Sequence, residues 1–145
     1  MESSETNFYA QTLVIEDNPG QAAEMLKMFE EHPITDSILW LEDGIQAMNY
    51  LHGLGVFLRR DLKTNPKLIF LDLDLPNING LEVLFEIRRT PRLKHIPVVV
   101  MCSTETELDR VKNHDDHIDD YILKPVDSLQ LTNVINSVFS KPEIA

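Results

Sequence analysis

Apolar residues fall along the chain in two alternating kinds of run. Short, nearly continuous runs stand at residues 13–15, 38–41, 68–71, 98–102 and 121–123, the pattern of parallel strands covered by helices on both faces. Between them the spacing is helical. Ala22, Met25, Leu26 and Phe29 form one stripe at i, i+3, i+4 and i+7, which predicts a first helix ending near His32 and Pro33. Ile45, Met48 and Leu51 predict a second, capped by Asp43 or a neighbour and closed by Gly53 and Gly55. Leu81, Leu84 and Ile87 mark a third, stopped at Thr90 because the following Pro91 pushes it out of the α region. A fourth runs from Thr104 to about Asn113. In the fifth, Leu131, Val134, Ile135, Val138 and Phe139 share a stripe, with Asp127 or Ser128 as N-cap. Residues 53–66 make a longer connection than usual, an extended loop or an extra helix.

Five βα units predict an α/β fold, an open doubly wound parallel sheet. A closed barrel needs about eight units and roughly 250 residues, whereas this chain has 145. Its apolar fraction of 43% suffices for a core without disulfides or a structural metal cluster. The single Cys102 cannot form an internal bridge and suits a reducing compartment. The first twelve residues lack the basic and apolar regions of a signal peptide, and no apolar run approaches the ~20 residues of a membrane helix. A cytoplasmic protein with no membrane partner is expected. A formal charge of -11 argues against binding phosphate backbones, so nucleic acid is not an expected partner.

Most of the acidic residues read as solvated surface, but those at strand ends are different. In open α/β sheets, ligands bind beyond the carboxyl ends of the strands. The first strand ends in Glu16 and Asp17, the third in Asp72 and the fifth in Lys124. Crowded carboxylates raise one another's pKa unless a cation sits among them. Oxygen ligands favour Mg²⁺, for which Asp17 and Asp72 would suffice as direct carboxylates. Lys124 adds a compact donor for a phosphoryl oxygen. No phosphate-binding loop of the GxxxxGK type is present, so the phosphoryl group must arrive on another molecule. A carboxylate can itself receive it, and Asp72 is the central candidate.

From about Leu13 to about Phe139 the chain resembles a bacterial response-regulator receiver domain. The resemblance lies in LVIEDN from Leu13, in LIFLDLDLPNINGLEVL from Leu68, in IPVVVM from Ile96 and in DDYILKP from Asp119. It implies a flavodoxin-like sheet in the order 2-1-3-4-5, with a flexible segment over 1–10 and the receiver domain over 11–141. It also implies residue roles. Asp72 would accept phosphate, Asp17 and Asp72 would ligate Mg²⁺, Asp74 would contribute its backbone carbonyl, and Glu16 would act through water. Lys124 would contact the phosphoryl group, Tyr121 would be the rotating switch aromatic, and the Lys124–Pro125 bond would be cis. The implied partner is a sensor histidine kinase. The long 53–66 segment and the lack of an output domain are similar to small regulators paired with phytochrome-type kinases. The surface of the fourth helix, fifth strand and fifth helix would be the partner or homodimer face.

One position departs from that pattern. Cys102 stands where the family carries a Thr or Ser hydroxyl, and a thiol is the weaker donor. Ser103 is a candidate substitute, although strand alternation points it to the opposite face. Two other readings compete. Asp72 and Asp74 resemble the paired aspartates of haloacid-dehalogenase-type phosphatases, but Leu75, the motif's position and the chain length do not suit that family. The other is a degenerate receiver acting only as an interaction module. Residues 113–117 read as a solvated helix end rather than a transition-metal site, and His32, His52 and His95 take no role.

Overall fold

Continuous β-branched and leucine runs become the central strands because both of their faces are covered. In the computed structural model, which describes residues 11–31, 37–113 and 116–140, β1 (Thr12–Ile15), β3 (Leu68–Asp72) and β4 (Val98–Cys102) are buried along their whole length. With β2 (Ile38–Leu41) and β5 (Asp120–Leu123) they form one parallel sheet in the order β2-β1-β3-β4-β5. Five helices connect or follow them: α1 (Pro19–Glu30), α2 (Gly44–His52), α3 (Gly80–Arg89), α4 (Glu105–Lys112) and α5 (Ser128–Ser140).

Alternation along each strand divides the interior into two cores. Leu13, Ile15, Ile69, Leu71, Val98 and Val100 face the side covered by α2, α3 and α4. Val14, Phe70, Val99 and Met101 face the other, where Phe29 of α1 and Ile135 of α5 close over them. Phe29 and Phe70 meet edge to face at 5.4 Å between centroids.

The helix boundaries follow from local chemistry. Asn18 caps α1 with Pro19 at its first position, and Asp43 caps α2. Asn79 and Glu82 form a reciprocal capping box on α3. Asp127 accepts the Gln130 amide and so caps α5. α3 does end at Thr90, whose extended backbone precedes Pro91. α1 ends at Glu30, and its expected stop at His32 and Pro33 lies outside the described residues. The expected flexible segment over 1–10 and residue 141 lie outside them too.

The stripes expected for α2, α5 and α1 need correction. α2 does not bury an Ile45–Met48–Leu51 stripe. Ile45 is 45% exposed and Met48 half-buried, while Ala47, Tyr50 and Leu51 are buried. The phase is fixed at the helix start, where a Cβ on Gly44 would come within 2.3 Å of the Ile78 carbonyl oxygen. Phe139 lies 43% exposed at the end of α5, past the reach of the core, and Leu26 is only half-buried. The 53–66 segment is a series of turns with one short 3-10 helix, Gly55–Phe57. It begins at Gly53, the left-handed C-cap of α2. It is held by Arg60, a buried cation whose guanidinium donates to the carbonyls of Tyr50, Leu51 and Thr64. Two of these bonds go to carbonyls in the last turn of α2, where Tyr50 also accepts from the Gly53 amide and Leu51 from Arg92 Nη2, and they place a cation where the helix dipole favours one.

Candidate functional site

Parallel register brings the strand ends level. Ile15 pairs with Leu71, so Glu16 and Asp72 emerge side by side, and Cys102 pairs with Leu123 just before Lys124. One carboxylate oxygen from each of Glu16, Asp17 and Asp72 lies within 4.8 Å of the others. Glu16 and Asp72 are buried and Asp17 is exposed. Lys124 joins them: its Nζ lies 2.7 Å from Glu16 Oε1 and 2.8 Å from Asp72 Oδ2.

Backbone amides fix the two buried carboxylates. The Asp74 amide donates to Asp72 Oδ1 at 3.0 Å, and the Asn18 amide donates to Glu16 Oε2 at 3.1 Å. Trp40 Nε1 donates to the Glu16 carbonyl at 2.6 Å, which ties the β1 end to β2. The Lys124 amide donates to the Cys102 carbonyl at 2.8 Å, and the Lys124–Pro125 peptide bond is cis.

Gly80 has a role that its spacing alone does not reveal. A Cβ at this position would lie 2.5 Å from both the Asp72 carbonyl oxygen and Leu73 Cα. A side chain there would displace the main chain that carries Asp72.

Burial raises the Asp72 pKa from its ordinary value to about 7, with the adjoining Glu16 adding to the rise; Lys124 and the Asp74 amide oppose it. Burial acts the other way on Lys124, but its bonds to Asp72 and Glu16 outweigh that effect and hold its pKa above the ordinary lysine value. Three carboxylates around one ammonium leave negative charge uncompensated, and all the donors are hard oxygens. The set therefore fits a small divalent cation.

Cys102 lies buried at the β4 end, where burial and then the charges of Glu107 and Asp72 raise its pKa. It is a neutral thiol rather than a thiolate. Ser103 is exposed and its amide donates to Glu107 Oε1 at 2.8 Å. Tyr121 is 38% exposed, with Lys112 Nζ 4.9 Å from its ring centroid. The Asp74 side chain is exposed and outside the carboxylate group, lining a cleft with Asn79, Glu107 and Arg110. This arrangement leaves the paired-aspartate phosphatase reading without its second acid.

Glu107 was legible in principle. Thr104-Glu105-Thr106-Glu107 has the spacing of a capping box, and the Glu107 amide does bond Thr104 Oγ1. Its reach to Ser103 and its influence on Cys102 required the fold.

The family described as response regulator receiver domain matches residues 12–136. Response regulator Rcp1 of Synechocystis sp. is 31% identical over 138 residues, covering 95% of this chain and 92% of that protein. The solved Mn(2+)-bound form of Rcp1 superposes with a TM-score of 0.71, covering 90% of this chain and 89% of that one. The bacteriophytochrome response regulator RtBRR is 33% identical with a TM-score of 0.85, covering 95% of this chain and 82% of that chain. The phosphorylated cyanobacterial phytochrome response regulator RcpA is 32% identical with a TM-score of 0.73, covering 90% and 91%.

Proposed function

The chain belongs to the response regulator receiver family and is a phosphoacceptor of two-component signalling, and from that premise we propose that Asp72 is the acceptor and Mg²⁺ its metal. The observation that carries this reading is the buried Asp72 carboxylate, ion-paired to Lys124 and beside Glu16 and Asp17. The Mn(2+)-bound Rcp1 and phosphorylated RcpA support it by likeness. Asp17 and Asp72 would hold the metal directly, Glu16 through water, and Asp74 through its backbone carbonyl.

In the reaction an Asp72 oxygen attacks the phosphorus of a donor phosphohistidine. The P–O bond forms as the P–N bond breaks, and the imidazole leaves with a proton. Bound Mg²⁺ supplies neutralising charge to the phosphoryl oxygens. Lys124 offers its ammonium to an oxygen of the incoming group. The Asp74 amide keeps the carboxylate aimed, and Gly80 lets the acceptor's main chain lie flat against α3.

The donor is a sensor histidine kinase, and the likeness to Rcp1, RtBRR and RcpA favours one of the phytochrome type. The output is a protein contact on α4, β5 and α5, where Tyr121 and Cys102 couple the strand ends to the surface, with Ser103 beside them. The receiver unit is assigned to 11–141. No helix among the described residues is long and apolar enough to cross a membrane.

Acetyl phosphate with Mg²⁺ followed by intact mass measurement tests the assignment. One phosphate adduct is expected on the wild type and none on Asp72→Asn. An undiminished adduct on the variant sinks it.

A further inference from the structure

Away from the acceptor, two surface features of opposite charge meet along one side of α2. The first is the turn that follows the helix. Phe57 and Arg60 are buried, and their amides close successive turns onto Leu54 and Phe57 carbonyls, each at 2.9 Å. With these two residues anchored inward, their neighbours face water: Val56 is 79% exposed, Leu58 73% and Leu54 50%. Arg59 and Lys63 are exposed in the same segment. Asp61, also exposed, lies between them, so the result is a turn-braced aliphatic knob whose exposed charges, Arg59, Asp61 and Lys63, are net positive, on a chain whose net charge is -11.

The second feature is a groove between α2 and α3, lined by Met48, His52, Ile78, Glu82, Phe85 and Glu86. Phe85 is 48% exposed, and Ile45, 45% exposed, continues the apolar floor one turn before Met48. Glu82 and Glu86 leave the rim net negative, although the Arg89 guanidinium lies 5.1 Å from the Phe85 ring centroid beside them. Glu86 is partly engaged within the chain, 3.0 Å from Arg89 Nε and 3.6 Å from His52 Nε2.

Exposed aliphatic side chains held rigidly at a surface mark a contact site. The strong overall acidity disfavours association with other copies except where a basic area meets an acidic one. The knob and groove supply such a pair, each with an apolar centre. Leu54 of the knob follows His52 of the groove by two residues, so the two features adjoin. A two-fold axis would therefore let each copy give its knob and receive the other's in a single closed contact.

We propose that this α2–α3 side is a self-association surface, with the 54–63 knob of each copy seated in the acid-rimmed groove of a second copy. Its occupant is distinct from the output contact assigned to α4, β5 and α5, and it leaves the acceptor open.

Sedimentation velocity of the full chain up to about 1 mM tests this. A dimer that weakens with salt is expected, and Val56→Ser with Leu58→Ser should raise its Kd at least about tenfold. Arg59→Glu with Lys63→Glu, and Glu82→Lys with Glu86→Lys, should each be monomeric alone. An equimolar mixture of these two charge-reversed proteins should recover the dimer, because both oppositely charged pairs are regenerated. Misfolded chains would not recover on mixing, and retained acetyl phosphate labelling checks the fold independently. A monomer at every concentration overturns the proposal. So does a dimer indifferent to the Val56 and Leu58 changes but broken by Phe139→Glu, or a mixture no tighter than its parts.

Discussion

Asp72 holds a proton at a pH where a solvated aspartate has lost it, because burial and Glu16 both penalise its charge. The folded metal-free protein takes up this proton as pH falls through about 7, whereas the unfolded chain does so only near the ordinary value of 3.8. The folded state thus binds more protons in that window, and this group's contribution to stability improves as pH falls from above 7 towards 4. In EDTA, Asp72→Asn should accordingly be more stable than the wild type at alkaline pH, with the gap closing on acidification. Melting curves of both proteins across that range check it, and a pH-independent gap would contradict the shift. Cys102 offers a second test. Cys102→Thr should change dephosphorylation or dimerisation without abolishing phosphorylation, and identical behaviour in both assays would refute a switch role. Gly80→Ala should cost about 1–3 kcal/mol through overpacking, together with slower labelling by acetyl phosphate. Denaturation and labelling kinetics measure the two effects. At this scale the sequence made Glu16, Asp17, Asp72 and Lys124 legible because strand ends converge by rule. It did not reveal why Gly80 must be glycine, because the crowding atoms belong to main chain eight residues earlier.

α2 and its following turn show where periodicity stops being sufficient. Ile45, Met48 and Leu51 fit a helical stripe, yet the contact of Gly44 with Ile78 rotates the helix so that Ala47 and Tyr50 face inward. Tyr50 is fully buried against Phe57 and beneath the Arg60 guanidinium. Arginine is rarely buried, so nothing in the string around residue 60 announces an interior cation. Arg60→Ala would leave the Tyr50 and Leu51 carbonyls without these donors, and we expect a loss of about 2–4 kcal/mol in chemical denaturation. Arg60→Lys should recover only part of it, since one ammonium cannot reproduce the fork that spans three carbonyls. Strands β3 and β4 were plain in the sequence because both faces of each are buried, which removes polar interruptions.

For the molecule as a whole, the acceptor end is an electrostatic load that a divalent ion relieves. If Mg²⁺ is the metal, as proposed, it would bind the folded carboxylate group and not the unfolded chain, and should raise the melting temperature by an amount corresponding to about 2.7 kcal/mol at a hundredfold excess over Kd. Asp17→Asn should remove most of that rise, and an unchanged rise would contradict its place as a ligand. The strand order follows from the family likeness and agrees with the sheet. The knob beside α2 was foreseen only as a long connection, because exposure is a property of the assembled surface.

Lys124 has one further consequence. Strand β5 lies at the margin of the sheet, hydrogen-bonded to β4 alone, yet the ammonium just beyond its end grips Glu16 and Asp72 at the ends of β1 and β3. A single flexible side chain therefore moors the outermost strand to two it never touches through the backbone. On the proposed reading, that ammonium would trade a carboxylate oxygen for an oxygen on phosphorus; the mooring point would then shift outward, and the strand bearing Tyr121 would be the first to register the change.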